Sequence, residues 1–498
     1  MRSIMKKYKA NFESLRNYEV PEWFKDAKFG IWSIWSPQTL AMCEDWYARN
    51  MYIQDTPQYL YHLRTYGHPS EFGFKDMCDL WKAENFNPDQ LMEKYYKAGA
   101  RYFCSMAMHH DHFFNYDSDI NPMNSTKVGP MKDICGMWKK AAEKFNMPFG
   151  ITEHYGATFS WWTTNKGCDS HGPYKGIPYD GNNPEYRDYY FDNYEHVKRD
   201  EKGCLLDVDK IQWYTDNKKF HKEWVAVMKE IIDKYEPELL YTDGGLPFGD
   251  AIIDAEGVML NEDDALFKPG LEAVAYYYNK SIEKYGKNNY VYTQKDRREK
   301  VYSIGVLDLE KSQLKDALPH VWQTDTCIGA WYYGKTTVYK RPGHIIEMLV
   351  DIVAKNGTIL MNIVQRPDGS IDREAEFILD ELAKWFKICG EGIHGTRPWV
   401  IPSEGSSHAS AELFNENRVE WKSEDFRFTK KGNHVYAFML SAPENRVAIL
   451  KSFMKEDINK VTLLGYGDVE FSHTFGLLTV QLPKELPTEY TNCLMIEV

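Results

Sequence analysis

The feature that most constrains this 498-residue chain is an alternation of short apolar runs and amphipathic helical stretches, which continues to about residue 390. Residues 102–108 and 239–242 are two such runs, and polar residues follow each of them. Residues 86–100 read as a helix, because Asn87-Pro88 is a helix-start pair and the following apolar residues recur three and four positions apart. Strands that alternate with helices over this length form a parallel sheet covered by helices. The pattern therefore predicts an α/β fold, a (β/α)8-type barrel whose functional site lies at the carboxyl ends of its strands.

The pattern changes after residue 399. Pro402, Ser403 and Gly405 read as a loop or linker, and the runs that follow are short, alternate in polarity and are separated by turn residues such as Gly465 and Gly467. This pattern of short alternating runs and turns is typical of an antiparallel β-sandwich. We therefore expect a catalytic barrel over residues 1–400 and a C-terminal β-sandwich domain over residues 401–498.

Composition excludes several classes of protein. The formal net charge of −13 argues against a nucleic-acid binder, which needs clustered Lys and Arg. The sequence contains no apolar run long enough to span a membrane, and its nine cysteines include no CxxC pair, which disfavours a zinc site or a disulfide framework. Phosphate-binding glycine loops and the GxSxG elbow are absent from the sequence. We therefore expect no cofactor, no metal, no nucleic-acid partner and no membrane partner. The sequence leaves open whether the protein forms an oligomer.

The aromatic share and the first residues bear on substrate and compartment. Aromatic residues make up 15% of the chain, which favours a sugar-binding protein, although a large core also uses such residues. Residues 1–15 lack the apolar stretch of a signal peptide. The compartment is left open: periplasmic or secreted if a leader was removed, otherwise cytoplasmic.

Ionisable residues follow two of the apolar runs. Asp243 comes directly after residues 239–242 and before Gly244-Gly245, so at a barrel strand end its carboxylate would face the site; an ordinary Asp-Gly turn is the alternative. His109 and His110 follow residues 102–108. No third ligand at a recognised metal spacing accompanies them, so they read as donors to a substrate hydroxyl or as structural histidines.

Aromatic residues supply further candidates. Trp35, Asp45 and Trp46 belong to a polar and aromatic cluster early in the chain, whose alternative is a plug at the barrel base or a surface loop. Later tryptophans are also candidates for a sugar platform, although each alone is more often part of a core: Trp161, Trp162, Trp322 and Trp331.

Several stretches together resemble one family. They are WFKDAKFGI (23–31), WYARNMY (46–52), FNP (86–88) with GARY (99–102), HHDHF (109–113), KNGTILMNI (355–363) with RPDG (366–369), and GEGIHGTRPW (390–399). In this order they resemble the α-L-fucosidases, family 29 of the glycoside hydrolases. The resemblance spans nearly the whole chain and implies a barrel followed by a β-sandwich, an exo-acting retaining mechanism and no metal.

The resemblance also implies residue roles. Asp243 matches the family's nucleophile, His109 and His110 match ligands of sugar hydroxyls, and Arg297 matches an arginine near the nucleophile. The acid/base is poorly fixed by sequence in this family; Glu310 is our choice, with Asp308 and Glu299 as alternatives. The predicted substrate-binding residues are Trp35, Asp45, Trp46, His109, His110, His154, Arg297 and Trp322.

The chain departs from the family pattern at four places. Ile34 stands where the family has histidine, Asp45 is one methylene shorter than the usual glutamate, Glu153-His154 replaces an uncharged strand end, and Gln323 replaces a glutamate. We therefore expect a glycosidase that releases terminal α-L-fucose, or a closely related L-sugar, from oligosaccharides or polysaccharides. The main alternative is an α-L-galactosidase, acting for example on the 6-sulfated L-galactose of an algal galactan. A non-catalytic sugar-binding protein is the second alternative.

Overall fold

The computed structural model describes residues 7–193, 213–249 and 265–498. Its first part is a closed barrel of eight parallel strands, in which β1 pairs with both β2 and β8. The strands are β1 Phe29–Ser33, β2 Tyr102–Met108, β3 Phe149–Glu153, β4 Leu239–Thr242, β5 Val291–Gln294, β6 Val306–Asp308, β7 Trp322–Cys327 and β8 Gly357–Asn362. Every residue of these strands is buried, as expected where helices cover a parallel sheet. The predicted barrel is confirmed.

Helices surround the barrel and begin at the caps that the sequence indicates. The side chain of Asn87 accepts a hydrogen bond from the backbone of Gln90, and that of Asp133 accepts one from Gly136. The α-helices of the described ranges are α1 Phe12–Leu15, α2 Glu22–Ala27, α3 Tyr47–Asn50, α4 Pro57–Thr65, α5 Phe74–Cys78, α6 Pro88–Lys97, α7 Ile134–Glu143, α8 Thr158–Trp161, α9 Arg187–Tyr190, α10 Lys218–Tyr235, α11 Lys268–Tyr285, α12 Glu299–Tyr302, α13 Pro342–Ala354 and α14 Arg373–Cys389. Within these ranges, no helix combines the length and the apolar character needed to cross a bilayer.

A buried tyrosine explains the glycine of the WFKDAKFGI motif. Gly30 of β1 lies opposite Tyr102 of β2, and a Cβ atom on Gly30 would lie 2.3 to 2.5 Å from three ring atoms of that tyrosine. The Tyr102 hydroxyl lies 2.9 Å from Oε1 of Gln323 and 3.1 Å from the carbonyl oxygen of Ile359. Glycine at position 30 therefore makes room for a ring that links β1, β2, β7 and β8 inside the barrel.

The C-terminal region forms two antiparallel sheets, one of six strands in the order β14-β13-β17-β11-β10-β9 and one of three in the order β12-β16-β15. The strands are β9 Arg397–Glu404, β10 Phe426–Lys431, β11 His434–Met439, β12 Val447–Leu450, β13 Lys460–Leu463, β14 Gly467–Asp468, β15 Phe471–Thr474, β16 Leu477–Gln481 and β17 Asn492–Glu497. The predicted β-sandwich is confirmed. The expected boundary after residue 400 falls inside β9.

Both faces of β11 are buried. Val435, Ala437 and Met439 belong to the core between the two sheets, whereas Tyr436 and Phe438 belong to the core of the barrel and its helices. Successive side chains of a strand point to opposite faces, so one strand serves two cores. The six-stranded sheet is therefore packed against the barrel on one face and against the three-stranded sheet on the other.

A buried group of three charges joins the two parts. Asp351 of α13 accepts a hydrogen bond from Nε of Arg427 on β10 at 2.5 Å and one from Nζ of Lys355 at 2.7 Å. The three side chains are at most 1% exposed. Because the acid lies on a barrel helix and the arginine on the C-terminal sheet, the contact couples the stability of the two parts.

Breaking this group should destabilise the protein strongly. We expect Asp351→Ala to lower the free energy of unfolding by about 3–5 kcal/mol, because it leaves two buried cations without their carboxylate. Asp89→Ala is the matched control, since it breaks an exposed ion pair with Lys144 and should cost at most about 1 kcal/mol. Urea unfolding followed by tryptophan fluorescence measures both. Equal losses for the two variants would contradict the assignment.

Candidate active site

One pocket, here called the central pocket, lies at the carboxyl ends of the barrel strands. Every strand from β1 to β7 contributes to it, either directly or through the residues that follow the strand. The loop after β1 and the segment before α10 complete the walls. Its lining residues are Trp32, Ile34, Asp45, Trp46, His109, His110, His154, Trp213, Tyr241, Asp243, Lys295, Glu310, Asp325 and Trp331.

Asp243 is the first residue after β4. Its Oδ1 accepts hydrogen bonds from the Tyr241 hydroxyl and from Nζ of Lys295, both at 2.9 Å, and its Oδ2 lies 3.4 Å from Nδ1 of His154. Burial alone would raise the pKa of Asp243, but Lys295 and the neighbouring histidines outweigh it and hold this pKa well below its usual range. The carboxyl group is therefore ionised.

Gly244 lets the chain turn immediately after this acid. Its φ of 80° lies in the left-handed region, and a Cβ atom there would lie 2.7 Å from Nε1 of Trp213. A side chain at position 244 would strain the backbone and would press on a ring of the pocket wall. Gly244 therefore allows the tight turn that follows Asp243.

Lys295 follows β5 and lies among three carboxyl groups. Its Nζ is 2.9 Å from Oδ1 of Asp243, 2.5 Å from Oε2 of Glu310 and 3.3 Å from Oδ2 of Asp325. Since one atom touches oxygens of both Asp243 and Glu310, those two oxygens are at most about 5.4 Å apart, which is compatible with the two-carboxyl retaining arrangement and too short for the inverting one. The ammonium group thus sets the spacing between the two acids.

Glu310 follows β6 and faces Asp243 across Lys295. Burial raises the pKa of Glu310 above its usual value, and the charge of Asp243 acts in the same direction against Lys295. The alternative acids lie elsewhere: Asp308 is fully buried within the barrel, and Glu299 is an exposed residue of α12. Among the three predicted candidates, the pocket contains only Glu310.

Three histidines form one wall of the pocket. The ring centroids of His109 and His154 lie 4.8 Å apart with nearly parallel planes, and Nδ1 of His110 donates a hydrogen bond to the carbonyl of His154 at 2.6 Å. Within the described residues, Nε2 of His154 has no hydrogen-bond partner, and Nδ1 has only the 3.4 Å contact with Oδ2 of Asp243. Burial lowers the pKa of His109 and of His154, so both rings are neutral near pH 7 and present donors and acceptors to a ligand.

These three histidines are also the group that could hold a metal ion among the described residues, since their ligand atoms lie within 4.8 Å of one another. The hydrogen bonds disfavour that use. The amide nitrogen of Gln38 lies 3.1 Å from Nδ1 of His109, and its amide oxygen accepts from the backbone of Ala48, so the amide donates to the ring. The proton of neutral His109 is then on Nε2, which cannot bind a metal in that form. The set fits sugar hydroxyls better, and the absence of a metal stays a prediction.

Asp45 and Trp46 approach from the loop after β1. Trp46 has a φ of 60°, a left-handed conformation unusual for a bulky residue. The backbone nitrogen of Trp46 donates a hydrogen bond to Oδ1 of Asp45 at 2.7 Å. Burial raises the pKa of Asp45 to about 7. Oδ1 of Asp45 also lies 3.8 Å from Nε2 of His109. The loop therefore presents a carboxyl group and an indole side by side at the mouth of the pocket.

Three predicted site residues do not line the pocket. Trp35 packs edge-on against Trp81 at 4.6 Å in the core. Trp322 is the first residue of β7, at the amino end of the barrel, where its indole donates to the carbonyl of Lys355. Arg297 is exposed, two residues beyond the lysine that reaches Asp243. For these residues type and proximity in sequence misled, because position along the strand decides which end of the barrel a side chain reaches.

Sequence reasoning missed other pocket residues. Lys295 could have been found, because it is the first ionisable residue after an apolar run, the same signal that indicated Asp243. Tyr241 and Asp325 lie inside strands, and Trp32 likewise has no distinguishing neighbour in sequence. Trp331 was named only as one of several tryptophans.

Comparisons with known proteins agree with this geometry. Residues 2–391 match the family model of the alpha-L-fucosidases, and residues 420–497 match that of the alpha-L-fucosidase C-terminal domain. This chain belongs to the α-L-fucosidase family. Tissue alpha-L-fucosidase of Mus musculus is 25% identical over 97% of this chain and 92% of its own length, and that of Bos taurus is 26% identical over 97% and 90%.

Solved structures show the same fold. The alpha-fucosidase of Thermotoga maritima, crystallised with a mechanism-based inhibitor, has a TM-score of 0.73 at 23% identity and covers 99% of this chain and 100% of its own. A GH29 alpha-L-fucosidase from Bacteroides thetaiotaomicron has a TM-score of 0.65 at 15% identity, with 99% and 98% covered. The family, the fold and the assignment to the glycoside hydrolases are confirmed, with a glycan as substrate. These findings do not favour the α-L-galactosidase alternative.

Two neighbouring cations of this family member give a matched test. We expect Lys295→Met to lower kcat/KM by about ten- to a hundredfold, because it removes charged hydrogen bonds to the pocket acids. Without the ammonium the pKa of Asp243 rises, so the acidic limb of the pH profile should move to higher pH. Arg297→Met should stay within about threefold of the parent, since its side chain lies outside the pocket. Similar losses in both variants, measured on a nitrophenyl glycoside, would contradict this geometry.

Proposed function

We propose that the protein is an exo-acting retaining α-L-fucosidase that removes terminal α-L-fucose from oligosaccharides or polysaccharides. The observation that carries the proposal is the contact of one ammonium group, on Lys295, with both Asp243 and Glu310. This contact keeps an ionised and a protonatable carboxyl group close together, which supports a double displacement, for which the two groups are about 5–5.5 Å apart.

The first step forms a glycosyl-enzyme. The Asp243 carboxylate attacks the anomeric carbon, the bond to the glycosidic oxygen breaks, and protonated Glu310 gives its proton to the leaving oxygen. In the second step the Glu310 carboxylate takes a proton from water, the resulting hydroxide attacks the anomeric carbon, and the ester bond to Asp243 breaks. The raised pKa of Glu310 and the lowered pKa of Asp243 suit these roles.

The remaining polar residues bind the sugar. His109, His110 and His154 offer nitrogen donors and acceptors on one wall, and Asp45 adds a carboxyl group that binds hydroxyls. Trp46 supplies a flat apolar face of the kind against which sugar rings pack. The floor, formed by Trp32, Tyr241 and Asp325, is closed, which supports the release of a single terminal residue.

The two carboxyl roles can be separated by azide. Asp243→Ala should lose measurable hydrolysis, and azide should restore turnover by direct attack to give the inverted β-L-fucosyl azide. Glu310→Ala should lose about 10²–10⁴-fold on a poor leaving group and far less on an activated one. Its azide product should be the retained α-L-fucosyl azide, because the glycosyl-enzyme still forms. NMR of the products identifies the anomers, and the opposite pairing of variant and anomer would reverse the assignment.

The positions of residues that differ from the family pattern support fucose rather than L-galactose as the substrate sugar. The Glu153 carboxylate accepts from the backbone nitrogens of Tyr155 and Gly156, and Gln323 contacts Tyr102 and Asp308 inside the barrel. Neither lines the central pocket, so neither is available to a hydroxyl on C6. Ile34, in contrast, brings an aliphatic side chain to the pocket, which suits a methyl group.

Substrate preference tests this reading. We expect kcat/KM for 4-nitrophenyl α-L-fucoside to exceed that for the α-L-galactoside by about ten- to a hundredfold, as for an added hydroxyl in an apolar pocket. His154→Ala should lower both values by a similar factor and leave their ratio within about threefold, because its ring faces Asp243. A better rate on the galactoside, with the preference lost in His154→Ala, would instead establish the α-L-galactosidase.

A further inference from the structure

Two buried acids lie directly beneath Lys295. Asp308 ends β6 and is fully buried, and Asp325 on the adjacent strand β7 is 1% exposed. Asp308 accepts hydrogen bonds from the backbone nitrogen of Asp325 at 3.2 Å and from the side-chain amide of Gln323. Both strands therefore direct a carboxyl group toward the same point inside the barrel.

The two oxygens of Asp325 have different surroundings. Oδ2 lies 3.3 Å from Nζ of Lys295 and 3.1 Å from the Tyr241 hydroxyl, so it is an acceptor. Oδ1 has no donor within the described residues, yet the side chains of Asp325 and Asp308 are within hydrogen-bonding reach of each other. Two carboxylates cannot bond to each other unless one of them carries a proton.

The charged groups around Asp308 and Asp325 also favour a proton on one of the two acids. The charged and titratable groups that face Asp325 are Lys295 after β5, Tyr241 on β4, Asp243 after β4, Glu310 after β6, Asp308 on β6 and Tyr102 on β2. Four carboxyl groups thus lie around one cation, and two of them, Asp308 and Asp325, are buried. Burial raises the pKa of Asp308 and raises that of Asp325 well above its usual range.

We propose that Asp325 and Asp308 share one proton in the working enzyme, with Oδ1 of Asp325 donating it to Asp308. Asp325 is then a neutral positioning residue: its Oδ2 holds Lys295 and Tyr241 in place and adds no negative charge. The positive charge of Lys295 then acts on Asp243 and Glu310 and is not neutralised by Asp325. This inference rests on the proposed function for its effect on catalysis, but the shared proton itself does not.

Infrared spectroscopy of the unliganded protein tests the proton without any activity. A protonated carboxyl group has a carbonyl-stretch band that a carboxylate lacks. We expect Asp325→Asn and Asp308→Asn each to lose one such band at neutral pH, because either change leaves a single acid that can ionise. If both variants keep the band, the proposal is wrong. A failure of the glycosidase assay would not affect this result. Having two variants keeps the test informative if one of them fails to fold.

The pH profile tests the positioning role. Asparagine at position 325 mimics a neutral acid, since its amide can donate to Asp308 while its oxygen accepts from Lys295. We therefore expect Asp325→Asn to leave both limbs of the pH profile of kcat/KM within about 0.3 pH units, and the position of the limbs rather than the maximal rate is the readout. If Asp325 were ionised, removing its charge would lower the pKa of Glu310 and move the basic limb to lower pH by about one unit or more. Asp325→Leu, which cannot accept from Lys295, should lose activity by about tenfold or more.

Discussion

The site depends on one ammonium group held among carboxyl groups of a buried pocket. Lys295 contacts Asp243, Glu310 and Asp325, which follow or belong to three other strands of the barrel. At short range and low dielectric each contact is strong, so this single charge decides which acids are ionised. The strand order makes the arrangement possible, because β4 to β7 are consecutive neighbours and bring residues 243, 295, 310 and 325 to adjacent strand ends.

Much of the fold could be predicted from the sequence, since the signals are local. Asn87 and Asp133 cap helices, and the apolar runs at residues 102–108 and 239–242 are strands with these same bounds. Asp243 was recognisable because it ends such a run before two glycines. Tyr241, two residues earlier, was not, since inside a buried strand a pocket residue and a core residue look alike.

The residues that misled did so for a related reason. Trp322 resembled a site tryptophan, but a residue at the start of a barrel strand lies at the end opposite to the site. Arg297 has the charge expected near the nucleophile, whereas the turn after β5 brings Lys295 there instead. In both cases residue type and approximate place in sequence were poor guides, because the exact position relative to the strand end was decisive.

Gln323 shows how a departure from a family pattern can have a cause inside the fold rather than in the substrate. Its amide nitrogen contacts Asp308, and its amide oxygen lies 2.9 Å from the Tyr102 hydroxyl. A glutamate here would put a third acid against Asp308 and Asp325, with no further cation of the described residues in contact with them. An amide can donate to Asp308 and still accept from Tyr102, which a carboxylate cannot do. The neutral Gln323 and the acid Asp325 therefore belong together. Because Asp325 already places an acid on β7 beside Asp308, residue 323 on the same strand has to donate a hydrogen bond to Asp308 rather than add another acid.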